Sequence, residues 1–322
     1  MSIIIFSDKN DHTTTYIMQW IKYYGEEVKR INFPDTNFKI ISLAETAKIY
    51  TSYGIIELTK NDFCWFRRAK LYDLVSPYST SDEDCFYASE KIETLYALYN
   101  WIMDNCGYWA NPFASQPSKL HLLYIAQKYG FLTPDTIFSS KKEDIINMFA
   151  KHEKLAVKPF TGLMKFEKDS FSTTLTTLLQ KEDLDKIPEA FGGLIIQQYI
   201  EKKYELRSFF IESQFYTMAI FSQNDDKTKI DFRNYNKEKP NKNVVFVLPE
   251  EYKNKLLLIA KNANIDTGSF DILVDNDDNY YFLEVNPIGQ FGMVSYPCNY
   301  YIEQQIAELL IAKHNGISKR KT

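Results

Sequence analysis

The sequence predicts an α/β chain: an open α/β domain first, then a mixed unit whose later strands run antiparallel. Three observations predict this. The all-apolar run Ile3-Ile4-Ile5-Phe6 reads as a buried strand at the start of the chain. Leu95, Leu98, Tyr99 and Ile102 form an apolar stripe at helical spacing. From Glu205 onward, apolar runs come in pairs joined by short polar turns. A chain of 322 residues has room for about two domains, or three small ones.

The elements follow in order. Asp11-His12-Thr13 opens a helix that runs to about Tyr24, and Lys39–Leu43 and Gly54–Leu58 are strands. A long helix follows Ser81, where Ser-Asp-Glu-Asp resembles a capping box with Asp in place of Glu. The first domain ends near Asn111-Pro112. The next helix, Lys119–Tyr129, closes at Gly130, and Thr133-Pro134 leads into a short strand. Ser140-Lys-Lys-Glu143 has the form of a full capping box for the helix after it. Leu155–Pro159 is a buried strand, and Leu194–Ile200 is another that runs to Glu201. Strands Leu206–Ile211 and Gln214–Phe221 meet at Glu212-Ser213. The charged stretch Gln223–Lys242 reads as an exposed loop or hairpin with an ordered core at Asp231-Phe232-Arg233. Strand Val244–Leu248, a helix near Glu250–Asn262, a hairpin around Asn276–Asn279 and a last helix Tyr301–His314 complete the chain. The domains expected are 1–112, 113–198 and 199–322.

Composition narrows the function. The chain is 45% hydrophobic and 25% charged, as globular proteins are. Its net charge of −4 comes without a basic block, except for the tail Lys319-Arg320-Lys321, which reads as a solvated terminus. Nucleic acid as the main partner needs a broad basic face and is disfavoured. Four cysteines with no CxxC spacing fit a reducing cytosol better than a disulfide scaffold. No apolar stretch approaches the length that spans a membrane, and the opening run is too short for a signal peptide. Eleven glycines fall below the usual share of about 7%, so a glycine-rich phosphate loop is not expected.

The hairpin carries the sharpest chemical signal. Asp271 lies inside its first strand, and Glu284 and Asn286 lie two apart near the end of its second. Side chains two apart on a strand share a face. Two carboxylates and an amide oxygen amid apolar neighbours suit a hard divalent cation such as Mg²⁺. A solvated face with ordinary acids fits the hairpin alone about as well. Lys158, inside an apolar strand, needs a partner, and a phosphate is one; a snorkelling strand-edge lysine is the plainer reading. Lys119 alone is an exposed helix residue. Gln197-Gln198-Tyr199-Ile200 followed by Glu205-Leu206-Arg207 suits a base against exposed backbone and a carboxylate for ribose hydroxyls; an edge strand with a surface ion pair fits too. Arg207 and Arg233 are guanidinium forks suited to phosphate oxygens, and each alone is as well a surface ion pair.

Taken in order, these pieces resemble the ATP-grasp enzymes from about Asn111 to Gly292. The motifs are Ser118-Lys119-Leu120, Val157-Lys158-Pro159, Gln197-Gln198-Tyr199-Ile200, Glu205-Leu206-Arg207, Asp231-Phe232-Arg233, Asp271 and Glu284-Val285-Asn286-Pro287. The resemblance implies an ATP-grasp fold with an N-terminal open α/β domain and the nucleotide held between central and C-terminal subdomains. It puts Lys119 and Lys158 on the nucleotide phosphates, Gln197, Gln198, Tyr199 and Ile200 around the adenine, and Glu205 at the ribose. It puts Arg233 on the γ-phosphate or an acyl phosphate, with Arg207 as a further phosphate or substrate contact. Asp271, Glu284 and Asn286 would hold two Mg²⁺ ions beside ATP. The chain departs from the family after Lys158, where Thr161-Gly162-Leu-Met-Lys165 offers one glycine; phosphate cover from Gly162 and Lys165 is the expectation there.

Further stretches resemble one branch, the maturases of ω-ester and ω-amide peptides (graspetides, microviridin-like), nearest the grasp-with-spasm group. They are residues 3–12, Trp65-Phe66-Arg67-Arg68, Asn286–Gly292 and Pro297–Tyr300. That likeness implies an ATP-dependent peptide maturase whose partner is a precursor with a leader and a core rich in Thr and Asp/Glu. Trp65, Arg67 and Arg68 would line the core-peptide site; as plain residues they are a strand-end aromatic and two surface arginines. Gln223–Lys242 or the N-terminal domain would dock the leader. Ligases of this kind often pair, so a homodimer is an expectation. A ligase of separate amino acids and a non-catalytic peptide-binding module are the alternatives.

Overall fold

The computed structural model describes residues 2–33, 35, 37–68, 81–113, 117–159, 176–234 and 236–320. The chain forms two compact units, one of Met1–Gln116, Asn264–Thr267 and Pro287–Thr322, the other of Pro117–Ala263 and Gly268–Asn286. No helix among the described residues is long and apolar enough to cross a membrane.

The first unit is built on a parallel sheet. Its strands are β1 (Ile3–Asp8), β2 (Val28–Phe33), β6 (Phe63–Phe66) and β7 (Gly107–Trp109), in the order β2-β1-β6-β7. Parallel sheets bury both faces, which accounts for the unbroken apolar run in β1 and for Phe63-Cys64-Trp65-Phe66 in β6. A separate antiparallel meander contains β3 (Lys39–Leu43), β4 (Ala47–Thr51) and β5 (Gly54–Leu58). Helix α1 (His12–Tyr23) starts where Asp11 accepts hydrogen bonds from the Thr13 and Thr14 N–H groups. The long helix α2 (Asp82–Asn105) turns Leu95, Leu98, Tyr99 and Ile102 inward, and all four are fully buried in one cluster with Phe6, Phe66 and β4. The rings of Phe6 and Phe66 stack at 4.8 Å, and Tyr99 meets Phe66 edge-on at 4.9 Å.

In the second unit, α3 (Lys119–Lys128) ends before Gly130, which takes φ +73° as a helix-closing glycine does. A four-stranded sheet follows, with β8 (Thr136–Lys141), β9 (Leu155–Pro159), β10 (Thr177–Leu179) and β11 (Ala190–Gln198) in the order β10-β9-β11-β8. Helix α4 (Lys142–Phe149) packs on it through Ile145, Met148 and Phe149. A five-stranded sheet holds β12 (Lys202–Ile211), β13 (Gln214–Phe221), β14 (Lys242–Phe246), β15 (Thr267–Asp275) and β16 (Tyr280–Asn286), in the order β14-β13-β12-β15-β16. Between β14 and β15 lies α5 (Glu250–Asn262). The first unit is completed by α6 (Gly292–Cys298) and α7 (Ile302–Arg320).

Two local expectations change. The capping box at Ser140–Glu143 does not form, because β8 runs on to Lys141, which pairs with Ala190. Helix α4 starts at Lys142 without a side-chain cap at Lys141; Ser139 Oγ accepts from the Lys141 N–H instead and also bonds Asp144. The strand expected to reach Glu201 stops at Gln198, since Tyr199–Glu201 leaves the ladder before β12 begins.

At the C-terminal end of β6, Arg67 is buried. It forms an ion pair with Asp11 at 3.4 Å and donates to the Ile288 and Gly289 carbonyls. Arg68 donates to the same Asp11 carboxylate at 2.7 Å. Burial opposes the charge on Asp11, but Arg67, the Thr13 hydroxyl and Arg68 hold its pKa down, from an ordinary 3.8 to about 2. A depressed carboxyl stabilises the fold above its unfolded pKa and loses that contribution as pH falls through the folded one. The contribution is therefore complete above about pH 4, is lost toward pH 2, and amounts to about 2 kcal/mol. We expect Asp11→Asn to lower stability at neutral pH by about that much or more, because Arg67 keeps its burial and loses its counter-charge. Urea unfolding at pH 7 and pH 3 checks this: wild type loses more stability than the variant over that interval.

Candidate functional site

The site is assembled by the antiparallel hairpin β15–β16 and its neighbours in the second unit. Asp271 stands directly opposite Glu284, and Ser269 opposite Asn286. Directly opposed and alternate residues share a face, so Asp271, Glu284 and Asn286 lie on one side of the sheet. The register shifts by one residue between Asp271 and Ile272: Ile272 pairs with Phe282, so Leu283 is the extra residue of a bulge. Apolar Phe270, Ile272, Phe282 and Val285 are buried around the acidic positions.

Cations surround this face. Arg207, on the adjacent strand β12, places Nη1 at 2.6 and 2.5 Å from the two Asp271 oxygens. Lys119, the first residue of α3, places Nζ 3.2 Å from Glu284 Oε2. Lys158 on β9 feels Glu284 most strongly among the charges around it, then Lys119, Arg233 and Asp271. Five residues picked from distant parts of the sequence are thus gathered within electrostatic reach of one another. Arg233 is set by its neighbour Asp231, which accepts from its Nε at 2.8 Å and its Nη2 at 2.5 Å. Asp231 is itself buried and also accepts from the Thr176 N–H at 3.2 Å.

The titration behaviour follows from this packing. Burial lowers the Lys158 pKa; Glu284 opposes that shift, while Lys119 and Arg233 add to it. Burial likewise raises the Asp271 carboxyl, with Arg207 opposing and Glu284 adding to the rise. Glu284 is also penalised by burial, yet Lys158 and Lys119 outweigh this and hold its carboxyl low. The hydrogen bond to Asp231 raises the Arg233 pKa, so its fork stays charged.

The fit of a divalent cation can be judged from these residues. Among the described residues, no three His, Cys, Asp or Glu side chains gather into a metal cluster. The set here is two carboxylates and one amide, all hard oxygen donors of the kind Mg²⁺ takes. Glu284 Oε2 is buried and, although ion-paired with Lys119, lies outside hydrogen-bond geometry. A carboxyl pushed up by burial and by the neighbouring Glu284, and a buried carboxylate oxygen without a hydrogen bond, are both relieved by added positive charge. The residues fit the ion.

In the segment expected at the base, Gln197–Ile200, the residues divide between the sheet and the chain that leaves it. Gln197 is buried and donates its amide to Thr136 Oγ1 at 2.8 Å, so its side chain serves the sheet. The Gln198 N–H bonds the Asp135 carbonyl at 2.8 Å and the Tyr199 N–H the Lys154 carbonyl at 3.1 Å. The chain then leaves the ladder over Tyr199–Glu201, with Ile200 buried. Glu205, buried on β12, accepts from Lys202 Nζ at 2.7 Å and Ser222 Oγ at 3.1 Å. Burial nonetheless raises its carboxyl. Lys202 and Asp231 were not read from the sequence as site supports. For the first, the sequence offers no more than a lysine three positions before a glutamate.

Trp65, Arg67 and Arg68 belong to the first unit. Trp65 is 1% exposed and stacks on Trp109 at 5.5 Å, and Arg67 is enclosed as described, so neither lines an open surface. The cause is the continuous burial of β6, which takes in the strand end expected to be free. Arg68 is partly exposed beside Asp11. Gly162 and Lys165 lie outside the described residues.

Comparison with known proteins accords with this geometry. The RimK-like ATP-grasp domain matches residues 119–310, more than half of the chain. No curated protein sequence matches. Among solved structures, a RiPP-associated ATP-grasp ligase of Chryseobacterium gregarium, in complex with ADP and a leader and core peptide, is similar over 97% of both chains at 25% identity, with a TM-score of 0.79. The macrocyclase MdnC of Microcystis aeruginosa, bound with the precursor peptide MdnA, is similar over 97% of this chain and 100% of its own at 24% identity, with a TM-score of 0.76. The ATP-grasp ligase PsnB, complexed with a minimal precursor, Mg and ADP, is similar over 97% of each chain at 17% identity, with a TM-score of 0.71.

Arg207 and Asp271 are expected to behave as one unit. Arg207→Met should destabilise by about 3 kcal/mol, because it leaves Asp271 buried next to Glu284 without its cation. Adding Asp271→Asn should recover most of that loss in urea unfolding. Losses that simply add would show the pair to be uncoupled.

Proposed function

The chain belongs to the RimK-like ATP-grasp family, and on that footing we propose that it is an ATP-dependent maturase of a ribosomally made precursor peptide. The reading is that it activates Asp or Glu side chains of the precursor and closes side-chain esters with Thr or Ser, or amides with Lys. The observation that carries it is the convergence of Lys119, Lys158 and Arg233 on Glu284 beside Asp271. Such a face suits a polyphosphate held together with a divalent cation. The similar structures bound to ADP and to leader and core peptides support the nucleotide and the peptide class. Within the peptide maturases we favour the grasp-with-spasm branch, on residues 3–12, Trp65-Phe66-Arg67-Arg68, Asn286–Gly292 and Pro297–Tyr300.

In this mechanism Lys119 and Lys158 bind nucleotide phosphates, the Tyr199–Ile200 segment with Gln198 borders the adenine, and Glu205 accepts from the ribose hydroxyls. Asp271, Glu284 and Asn286 hold Mg²⁺, two ions in our reading. Held there, the metal would supply positive charge against the charge that develops on the phosphates in transfer. A peptide carboxylate attacks the γ-phosphorus, the bond to the β–γ bridging oxygen breaks, and ADP leaves. Arg233, oriented by Asp231, holds the transferred phosphoryl group and then the acyl phosphate. The peptide hydroxyl or amine attacks the acyl carbon, the bond to the phosphate oxygen breaks, and the nucleophile's proton passes to the departing phosphate. No side chain of the enzyme serves as nucleophile; positioning and charge neutralisation lower the barrier. Arg207 acts by fixing Asp271. Arg68 and the loop Gln223–Lys242 are the proposed peptide contacts, and Arg67 shares the Asp11 carboxylate with Arg68. We also propose the division into 1–112, 113–198 and 199–322, a homodimer, and a reducing compartment, the last supported by four free cysteines.

The direct test mixes purified protein, Mg²⁺, ATP and a synthetic precursor with a Thr- and Asp/Glu-rich core, then weighs the product. Loss of one water mass per ring is expected. Gain of an amino-acid mass, or an ATPase stimulated by free glutamate alone, would overturn the reading. Asp271→Asn and Glu284→Gln should each cut ring closure by about a hundredfold or more, as loss of a charged group in the transition state does. Circular dichroism checks that each variant is folded.

A further inference from the structure

We propose that Lys202 is a positioning residue that couples the two ends of the nucleotide site, a role that rests on the reading of Glu205 as the ribose acceptor. Lys202 opens β12 and its side chain is 3% exposed. Its ammonium makes two hydrogen bonds, to Glu205 Oε1 at 2.7 Å and to the Ile230 carbonyl at 3.0 Å. The first partner is the carboxylate placed at the ribose. The second immediately precedes Asp231, whose carboxylate holds Arg233. One buried cation therefore touches the ribose end and the start of the segment that presents the phosphate-binding fork.

The chemistry explains why a lysine stands there. Burial disfavours the charge on Glu205, and a carboxylate that is to accept two ribose hydroxyls must stay ionised and keep its free lone pairs turned outward. Lys202 supplies the counter-charge, and Ser222 Oγ fixes the same oxygen, Oε1. Both donors meet Oε1, so Glu205 is held in one orientation through a single oxygen. The segment after Ser222 is ordered in the same place: Thr228, fully buried, donates to the Ser222 carbonyl at 3.0 Å and is 2.9 Å from Asn241 Oδ1. Lys202 thus joins β12 to a loop that has its own core, and displacement of either partner is felt by the other.

The test is nucleotide binding by isothermal titration calorimetry with Mg²⁺, which needs no peptide. ATP, ADP and 2′,3′-dideoxy-ATP are compared in wild type, Lys202→Met, Lys202→Arg and Glu205→Gln. Two ratios are read: ATP over dideoxy-ATP for the ribose end, and ATP over ADP for the γ-phosphate end. Both ratios are independent of the fraction of protein that is folded. Lys202→Met is expected to reduce each by about tenfold, the loss of one charge-assisted hydrogen bond, and Lys202→Arg to restore the ribose ratio in part. A Lys202→Met variant that weakens all three nucleotides by one common factor overturns the proposal, for that is what a structural lysine does. If Glu205→Gln loses the ribose ratio while Lys202→Met keeps it, only the role of Lys202 falls. If Glu205→Gln keeps the ratio, the ribose assignment itself fails and the coupling with it.

Discussion

Everything in the candidate site depends on one constraint: two carboxylates, Asp271 and Glu284, are set face to face on adjacent strands among apolar side chains. Left alone, such a pair cannot keep both charges, since like charges at close range in a poorly solvated place force one toward its neutral form. The protein answers with cations drawn from separate elements. Arg207 comes from the neighbouring strand, Lys119 from the start of a helix, and Lys158 from the other sheet of the same unit. Each is far in sequence from the hairpin, so the balance exists only in the folded unit. The same balance suits a polyphosphate and a divalent cation: ligands of either sign would find partners already in place, and little would have to reorganise when charge moves.

The supports behind these residues are also ionic. Asp231 orients Arg233, Lys202 and Ser222 hold Glu205, and in the first unit Asp11 gathers Arg67 and Arg68. In each case a long charged side chain is pinned by a short one or by backbone carbonyls. Pinning removes the rotamer freedom that would otherwise be lost on binding, and this is how preorganisation raises affinity. It also explains why Arg67, which the sequence offers as a surface residue, is interior: the strand that carries it is buried on all four of its positions, and the first residue beyond follows it inward.

Much of this is legible in the sequence alone. Glu284 and Asn286 two apart, with Asp271 across a turn, are a pattern that strand alternation alone converts into a shared face. The α2 stripe and the bounds of β3, β5 and α5 were equally plain, because their apolar spacing is regular. What was not legible is instructive. Strand β2 mixes Lys29, Arg30 and Asn32 among its apolar residues, as an edge strand can, and so lacks a clean period. Lys202 and Glu205 are three apart, a spacing that puts strand side chains on opposite faces, so nothing periodic announces their contact. Ser140–Glu143 carried a genuine capping signal that lost to strand pairing, since Lys141 was already committed to Ala190. The packing of α7 against α1 and β1 brings the end of the chain back to its beginning, and long-range docking of that kind leaves no local signature.

The bulge at Leu283 carries a consequence for how this chain can vary. It is the one place in the β15–β16 ladder where the count of residues differs between the two strands. The extra residue leaves Phe282 opposite Ile272 and Glu284 opposite Asp271, so losing Leu283 would keep both pairings and remove only the local bend, whereas removing Val285 would swing Asn286 to the opposite side of the sheet from Glu284. The tip at Asn276–Asn279 carries no such arithmetic and can lengthen freely. Insertions and deletions among natural variants should therefore collect at the tip, be tolerated at Leu283, and be absent from Glu284 to Asn286.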